Sequence, residues 1–456
     1  MAEKRSSTNS YSHILKYTGL FGFVQMLNIV VGIVRNKCIA VILGPEGMGL
    51  AALLNTSMNF VAQATGLGIP FSSIKRIAET FDSGDSTALN RHVSTVRVWS
   101  LLAAIIGALA CIALGPLLNR LSFSWGDHTL HFILLAPAVA MTAIAGGELA
   151  ILKGTRRMKE LAISQVTTTL LSLLIAVPLY YVFNIKAIVP VISLMAMANL
   201  LPALVVSLRH YPFSLRHFSS AVGEGRQMVG MGVAFTLAAA FSSGGEMAAR
   251  SLISQFSDLH TVGLFNAACM MTFTYAALAF SSMESDYFPR LSAASHDNEE
   301  MLTIVNRQVE VSLMIISPMT CLLVILLPVA IPLLFSQQFV PVVTMAQTTA
   351  LALLFKAVSL PLAYINLAKG NSRIYLAFEA AYAVAYVVAI CYAFLFGGLM
   401  AVGWAIVAVH ALETAALYVY ANRRYHLVLS RGSVVLLAII IPCLAAAYLV
   451  STRLVG

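Results

Sequence analysis

The chain has 456 residues, 59% hydrophobic and only 10% charged, with a mean hydropathy of +0.85 and a formal net charge of +9. Soluble domains carry roughly 25% charged residues, so a water-soluble fold could not hide this much apolar side chain. Apolar runs recur along the whole length, each meeting the roughly 20 residues that a helix needs to cross hydrocarbon, and the short alternating segments of a membrane barrel are missing. The class is all-α and polytopic.

Residues 1–14 are polar and include Lys4 and Arg5. The apolar run behind them is far longer than a signal-peptide core and lacks an early small-residue cleavage site, so the first helix is expected to be retained. Spans are predicted at 16–43, 47–74, 95–119, 130–152, 160–184, 187–208, 227–252, 260–287, 305–335, 341–367, 374–396, 399–421 and 432–452, thirteen in all.

The first span carries Arg35 and Lys37 late in its course. A charge near the bilayer centre costs roughly 2.5 to 3.5 kcal/mol on insertion scales, so each cation either faces a partner in a wet cavity or snorkels to the interface. On the second span Asn55, Asn59 and Gln63 are each four residues apart and share a face. That face suits either sugar hydroxyls or hydrogen bonds between helices. Gly66, Gly68 and Pro70 at its inner end read as a hinge or as a site of close packing. Span four holds Glu148.

Span seven holds Glu246 and Arg250 at i,i+4 with the acid first, the favoured order for an intrahelical ion pair. Glu284 and Asp286, beside Arg290 at the inner end of span eight, read as an interfacial ion cluster or a gate. Lys356 lies about fifteen residues into span ten and is the cation hardest to excuse by snorkelling. Span twelve adds His410 and Glu413. Arg35, Lys37, Arg250 and Lys356 are thus the candidate cavity cations, because a phosphate held in a low-dielectric cavity needs guanidinium forks or ammonium charges. Glu148, Glu246, His410 and Glu413 are read as charge-balancing or ion-coupling groups. The six cysteines, Cys38, Cys111, Cys269, Cys321, Cys391 and Cys443, stand singly with no CxxC and read as packing residues. There is no Walker loop, HExxH or defensible Ser/His/Asp context, so no catalytic residue, metal or cofactor is expected.

Basic residues sort to one side of this layout. Lys75, Arg76, Arg91, Arg97, Lys153, Arg156, Arg157, Arg209, Arg226, Arg307, Lys369, Arg373, Arg423 and Arg424 flank spans on the N-terminal side, and only Arg120, Lys186 and Arg453 fall opposite. Lys and Arg favour the cytoplasmic side, so the N-terminus is expected inside and the net charge is mostly a topology signal. Nucleic-acid binding would need the charge clustered in an extramembrane region, which the span layout excludes.

An internal repeat recurs at an offset near 215 residues. LKGTRR at 152–157 matches AKGNSR at 368–373, Arg35 matches Arg250, Gly49 and Leu50 match Gly263 and Leu264, and Arg209 matches Arg423. The expected domains are therefore residues 1–215 and 216–426, each of six helices, with an additional transmembrane helix at 427–456. Six is even, so the halves are parallel repeats. That plan belongs to transporters, with a substrate path around a central cavity and alternating access by rocking one half against the other.

The stretch IVRNKCIAVILGPEGMGL at 33–50, followed by FVAQATGLGIPFSSIKRIAE at 60–79, resembles the Wzx-type polysaccharide flippases of the multidrug/oligosaccharidyl-lipid/polysaccharide exporter superfamily. A basic residue late in helix one, a Gly-Pro-x-Gly turn and a Gly-rich second helix ending in basic residues recur there in this order. The resemblance implies export of undecaprenyl-pyrophosphate-linked oligosaccharide, such as an O-antigen unit, across the bacterial inner membrane, in company with membrane lipids and other polysaccharide assembly proteins. Two rival functions remain: an ion-coupled multidrug or organic-cation antiporter, and a membrane polysaccharide polymerase or ligase. The first calls for acidic cavity residues without nearby bases, and the second for a sizeable outer loop.

Overall fold

A computed structural model of the chain describes the backbone of residues 2–124, 126–212 and 218–455. Side chains are described within 24–451, apart from 125, 213–222, 224, 227–229, 231, 234, 275, 278, 279, 281, 282 and 284–286. Every regular element among the described residues is helical, as lipid demands of an open chain whose amides find no partners outside their own segment. In chain order these are α1 (Ala2–Thr65), α2 (Ile69–Asp82), α3 (Ser86–Ser122), α4 (Thr129–Leu134), α5 (Ala136–Gly154), α6 (Met158–Phe183) and α7 (Ile188–His210). There follow α8 (Phe218–Phe256), α9 (Leu259–Cys269), α10 (Tyr275–Ala293), α11 (Asn298–Leu334), α12 (Val343–Ala350), α13 (Ala352–Ala368), α14 (Ser372–Tyr425) and α15 (Arg431–Val455).

Two of these helices are interrupted by a single glycine. Gly44 in α1 has φ 63° and ψ −173°, and Gly398 in α14 has φ 60° and ψ −154°. That region of backbone space is open to little besides glycine. Pro45 follows Gly44 as the first residue of the next segment, where its missing N–H costs nothing. The break in α14 makes a hairpin: Phe378, twenty residues before Gly398, meets Tyr420, twenty-two after it, with ring centroids 5.4 Å apart. At 66–68 the chain breaks again between α1 and α2, with Gly68 left-handed at φ 64° and Pro70 opening the new helix.

Eight stretches are long and apolar enough to cross a membrane, and three of them, Val24–Thr65, Met158–His210 and Ser372–Tyr425, run to 42, 53 and 54 residues, roughly twice what one crossing needs. α8 and the α9–α10 run lie outside these eight stretches. The protein is a multi-pass, all-α membrane protein.

The chain packs as two compact units: Met1–Leu43 with Leu54–Ser243, and Gly44–Leu53 with Gly244–Gly456. In unit 1, α5 packs on α3, α2 and α7, with Ile69, Ile77, Val93 and Ile151 in the core. The first part of α8 belongs here: Phe235 stacks on Phe71 at 3.7 Å, and Gly225 and Gly232 lie against Trp99 and Gly68 so closely that neither has room for a Cβ. In unit 2, α11, α13 and the α14 hairpin enclose Val305, Leu313, Leu353, Ala357 and Leu417. The last helix, α15, packs along α11 and is tied at both ends. Ser430 donates to Glu310 and Asn306 Nδ2 to Val428 O at 3.0 Å, while Ser451 Oγ donates to Val324 O at 2.8 Å.

Candidate functional site

Polar side chains inside the apolar helices gather separately in the two units. In unit 1, Arg35 is half-buried on α1 and its Nη1 donates to Ser172 Oγ of α6 at 3.1 Å. Two turns earlier on the same face, Asn28 accepts from Thr169 Oγ1, also on α6. Lys37 is exposed. On the second segment of α1, Asn55 is half-buried, whereas Asn59 and Gln63, four and eight residues on, are exposed along one face.

Glu148, only 2% exposed, balances Arg97. Arg97 Nε and Nη2 donate to its two carboxylate oxygens at 2.9 and 3.3 Å, Nη1 donates to Tyr211 O at 2.6 Å, and Nη2 also donates to Ser207 Oγ at 3.0 Å. The guanidinium fork is thus matched bidentately and its remaining donors are used by α7 and the residue after it. Position alone puts Arg97 among the loop-flanking cations. Because α3 begins at Ser86, well ahead of the predicted span, Arg97 instead lies inside the helix and is 8% exposed.

Unit 2 brings five of the predicted residues into one network. Arg250, 8% exposed on α8, donates through Nη1 to Glu246 Oε2 at 3.2 Å and through Nη2 to Asn266 Oδ1 at 3.4 Å, with Phe265 under its guanidinium at 5.7 Å. Glu246 itself stays largely exposed. On α13, Lys356 holds its ammonium 5.7 Å over the Phe273 ring and 5.8 Å over that of Phe280, a cation–π setting. Phe273 belongs to a π-helical turn, Met270–Thr274, between α9 and α10. Such turns are frequent at functional sites, and this one also sets Phe273 against His410, 5.5 Å between ring centroids. His410 is 4% exposed, with Nε2 3.2 Å from Tyr382 Oη and Nδ1 3.4 Å from Glu413 Oε2.

Three further members joined by the fold are Glu379, Tyr382 and Tyr386, all on the first segment of α14. Glu379 accepts from Tyr375 and lies within electrostatic reach of both Lys356 and Glu413. Tyr386 feels the charges of Arg250 and Glu246, and Tyr382 stacks on it at 5.8 Å. Contacts thus join Arg250 to Glu246, and Tyr386 through Tyr382 and His410 to Glu413, with Glu379 and Lys356 within electrostatic reach. The signal for Glu379 was present as an acid within an apolar run. The tyrosines carried none, since tyrosine in a membrane helix reads first as an interfacial residue. Glu284 and Asp286 lie outside the described side chains. Among the described residues no cluster of three metal-ligating side chains occurs.

Comparison with known proteins adds a family and a fold. Residues 14–295, more than half of the chain, match the model of a family described as "polysaccharide biosynthesis protein". No curated protein matches the chain by sequence. Among solved structures, an inward-facing multidrug resistance MATE family transporter of the MOP superfamily is similar with a TM-score of 0.72 at 15% identity, over 88% of this chain and 94% of that one. The lipid II flippase MurJ, in an inward closed conformation, is similar with a TM-score of 0.67 at 12% identity, over 96% and 98%. A MOP superfamily transporter from Pyrococcus furiosus, described as having a binding pocket of reversed polarity, is similar with a TM-score of 0.66 at 14% identity, over 90% and 96%.

Proposed function

The chain belongs to the polysaccharide biosynthesis protein family, and from that premise we propose that it is a flippase for lipid-linked oligosaccharide repeat units, of O-antigen or a similar polysaccharide. On this reading it moves an undecaprenyl-pyrophosphate-linked sugar from the cytoplasmic to the periplasmic leaflet of the bacterial inner membrane by alternating access, without catalysing a reaction. Its N-terminus is inside, in keeping with the bias of basic residues, and its partners are the lipid-linked substrate, membrane lipids and other polysaccharide assembly proteins.

The observation that carries the reading is Lys356. Its charge sits in an apolar helix and rests on two ring faces, Phe273 and Phe280, a setting in which an ammonium can still donate to an anion. A charge at this depth is kept where it binds something, and on the proposed reading that something is the diphosphate of the lipid-linked sugar. Arg250 supplies a second cation, a guanidinium, in the same network, and in unit 1 Arg35, Asn59 and Gln63 offer separate donors for phosphate and sugar hydroxyls. Arg35 and Lys37 are proposed as further cavity cations that bind substrate, and Asn55 as a sugar contact on the Asn59–Gln63 face. His410 lies between the Tyr382 hydroxyl and the Glu413 carboxylate, which supports a role in passing a coupling proton. Glu246 neutralises Arg250, as Glu148 does Arg97.

The test is deletion of the gene in its host and complementation with variants. Loss of the protein should leave lipid-linked oligosaccharide on the cytoplasmic leaflet. Lys356→Ala should reproduce that block at normal protein abundance, with substrate affinity reduced roughly 10- to 100-fold, as loss of a charged hydrogen bond of about 1.5–3 kcal/mol implies. Lys356→Arg should retain most export. Unchanged surface polysaccharide with altered dye sensitivity would move the assignment to drug efflux.

A further inference from the structure

Besides the buried network, unit 2 bears a groove of about 700 Å³ along the α14 hairpin. Its composition changes from one end to the other. Along its length it is apolar: Leu412 and Val419 are 64% and 47% exposed, and Ala415 and Ala416 line it with nothing larger than a methyl group. Phe378 and Tyr420, edge to face at 5.4 Å, wall the middle. At the α14 C-terminus it ends on Arg423 and Arg424, both exposed. Lys369 adds a third cation close by, over Tyr425 at 5.9 Å. Among the described residues no carboxylate lines the groove.

We propose that this groove is a binding site for an anionic phospholipid, with the headgroup phosphate held by Arg423 and Arg424 and an acyl chain lying over Ala415 and Ala416. The argument is charge complementarity joined to shape. A soluble anion would use only the basic end, and a neutral lipid only the apolar wall; an amphiphile with an anionic head uses both. The volume falls within the roughly 300–1,000 Å³ of small-molecule pockets. A guanidinium pair presents several N–H donors in fixed forks, which suits the oxygens of a phosphodiester. The basic end lies on the side that the charge bias assigns to the cytoplasm, where basic pockets between membrane helices recognise anionic headgroups. The same hairpin carries Glu379, Tyr382, His410 and Glu413, so a lipid seated here would brace the helices that hold the polar network.

The experiment is native mass spectrometry of the full-length purified protein after titration with dioleoyl phosphatidylglycerol or dioleoyl phosphatidylcholine. The wild type should retain phosphatidylglycerol over phosphatidylcholine by roughly tenfold or more. Arg423→Ala with Arg424→Ala should abolish that preference. Because both arginines also serve topology and the C-terminal helix dipole, the decisive variant is Ala416→Phe, which fills the groove and keeps both charges. It should lose the preference equally. If Ala416→Phe binds like the wild type, the attraction is diffuse surface charge and the proposal fails. It fails also if a polyprenyl diphosphate displaces phosphatidylglycerol at equal concentration, since the groove would then belong to the substrate path.

Discussion

Arg97 and Glu148 illustrate what a buried pair requires of each partner. With both side chains more than nine-tenths hidden and four hydrogen bonds on the guanidinium, removing either one strands a charge that lipid and neighbouring helices cannot solvate. Glu148→Ala or Arg97→Ala should therefore cost about 3–5 kcal/mol, whereas Arg97→Met with Glu148→Leu should recover most of that loss. Thermal midpoints of the purified variants decide it. If the double variant is as unstable as the singles, the pair does more than neutralise. Glu148 was visible in the sequence as an acid in an apolar run, but its partner was not. Arg97 lies near the predicted start of its span, where position alone cannot distinguish a snorkelling cation from one turned inward. The same limit applies to Lys356: its depth could be read, while the rings of Phe273 and Phe280 beneath it come from distant turns that only packing brings together.

At the level of elements, helix spacing was legible because hydrocarbon thickness fixes it, and the breaks were partly legible because they need glycine. The GPEG sequence announces the corner at Gly44, and the Gly397–Gly398 pair lies where the gap between spans eleven and twelve was drawn. What spacing could not say is how sharply each corner folds. In α14 the reversal is complete enough that Phe378 reaches Tyr420 and Tyr382 reaches His410. Since φ 60° with ψ −154° is strained for any side chain, Gly398→Ala should cost about 1–3 kcal/mol. Part of that cost should appear as an opened hairpin. A cysteine pair replacing Phe378 and Tyr420 should be bridged by a short bismaleimide faster with Gly398 intact than with alanine in its place. Equal crosslinking rates would mean that the corner tolerates a Cβ. The thirteenth helix was legible as a surplus to the repeat, but not its polar ties to Glu310, Gln347 and Val324, which bind α15 into unit 2.

At the scale of the molecule, the repeat read from the sequence is expected to divide it near residue 215, whereas each packed unit draws a short segment from the other side of that point. Residues 44–53 join unit 2, where Gly49 meets its repeat mate Gly263 so closely that a Cβ on Gly263 would stand 1.9 Å from Pro45 O. The early part of α8 joins unit 1 through Phe235 on Phe71, Gly232 on Gly68 and Gly225 on Trp99. Hydropathy is blind to such exchange, because it reports which residues lie in lipid and not which helix each one touches. The consequence is testable with fragments. A fragment ending at residue 212 lacks the part of α8 that completes unit 1, whereas one ending at 256 keeps it. Both contain residues 44–53 without their unit 2 partners, so that deficit cancels in the comparison. The longer fragment should be the more stable, by the aromatic stack of about 0.5–1.5 kcal/mol together with the burial of Trp99 and the α2 surface. Size-exclusion chromatography after a heating series should then show the 1–256 fragment surviving to higher temperature than the 1–212 fragment. Matching survival curves would mean that the α8 segment rests on unit 1 without supporting it.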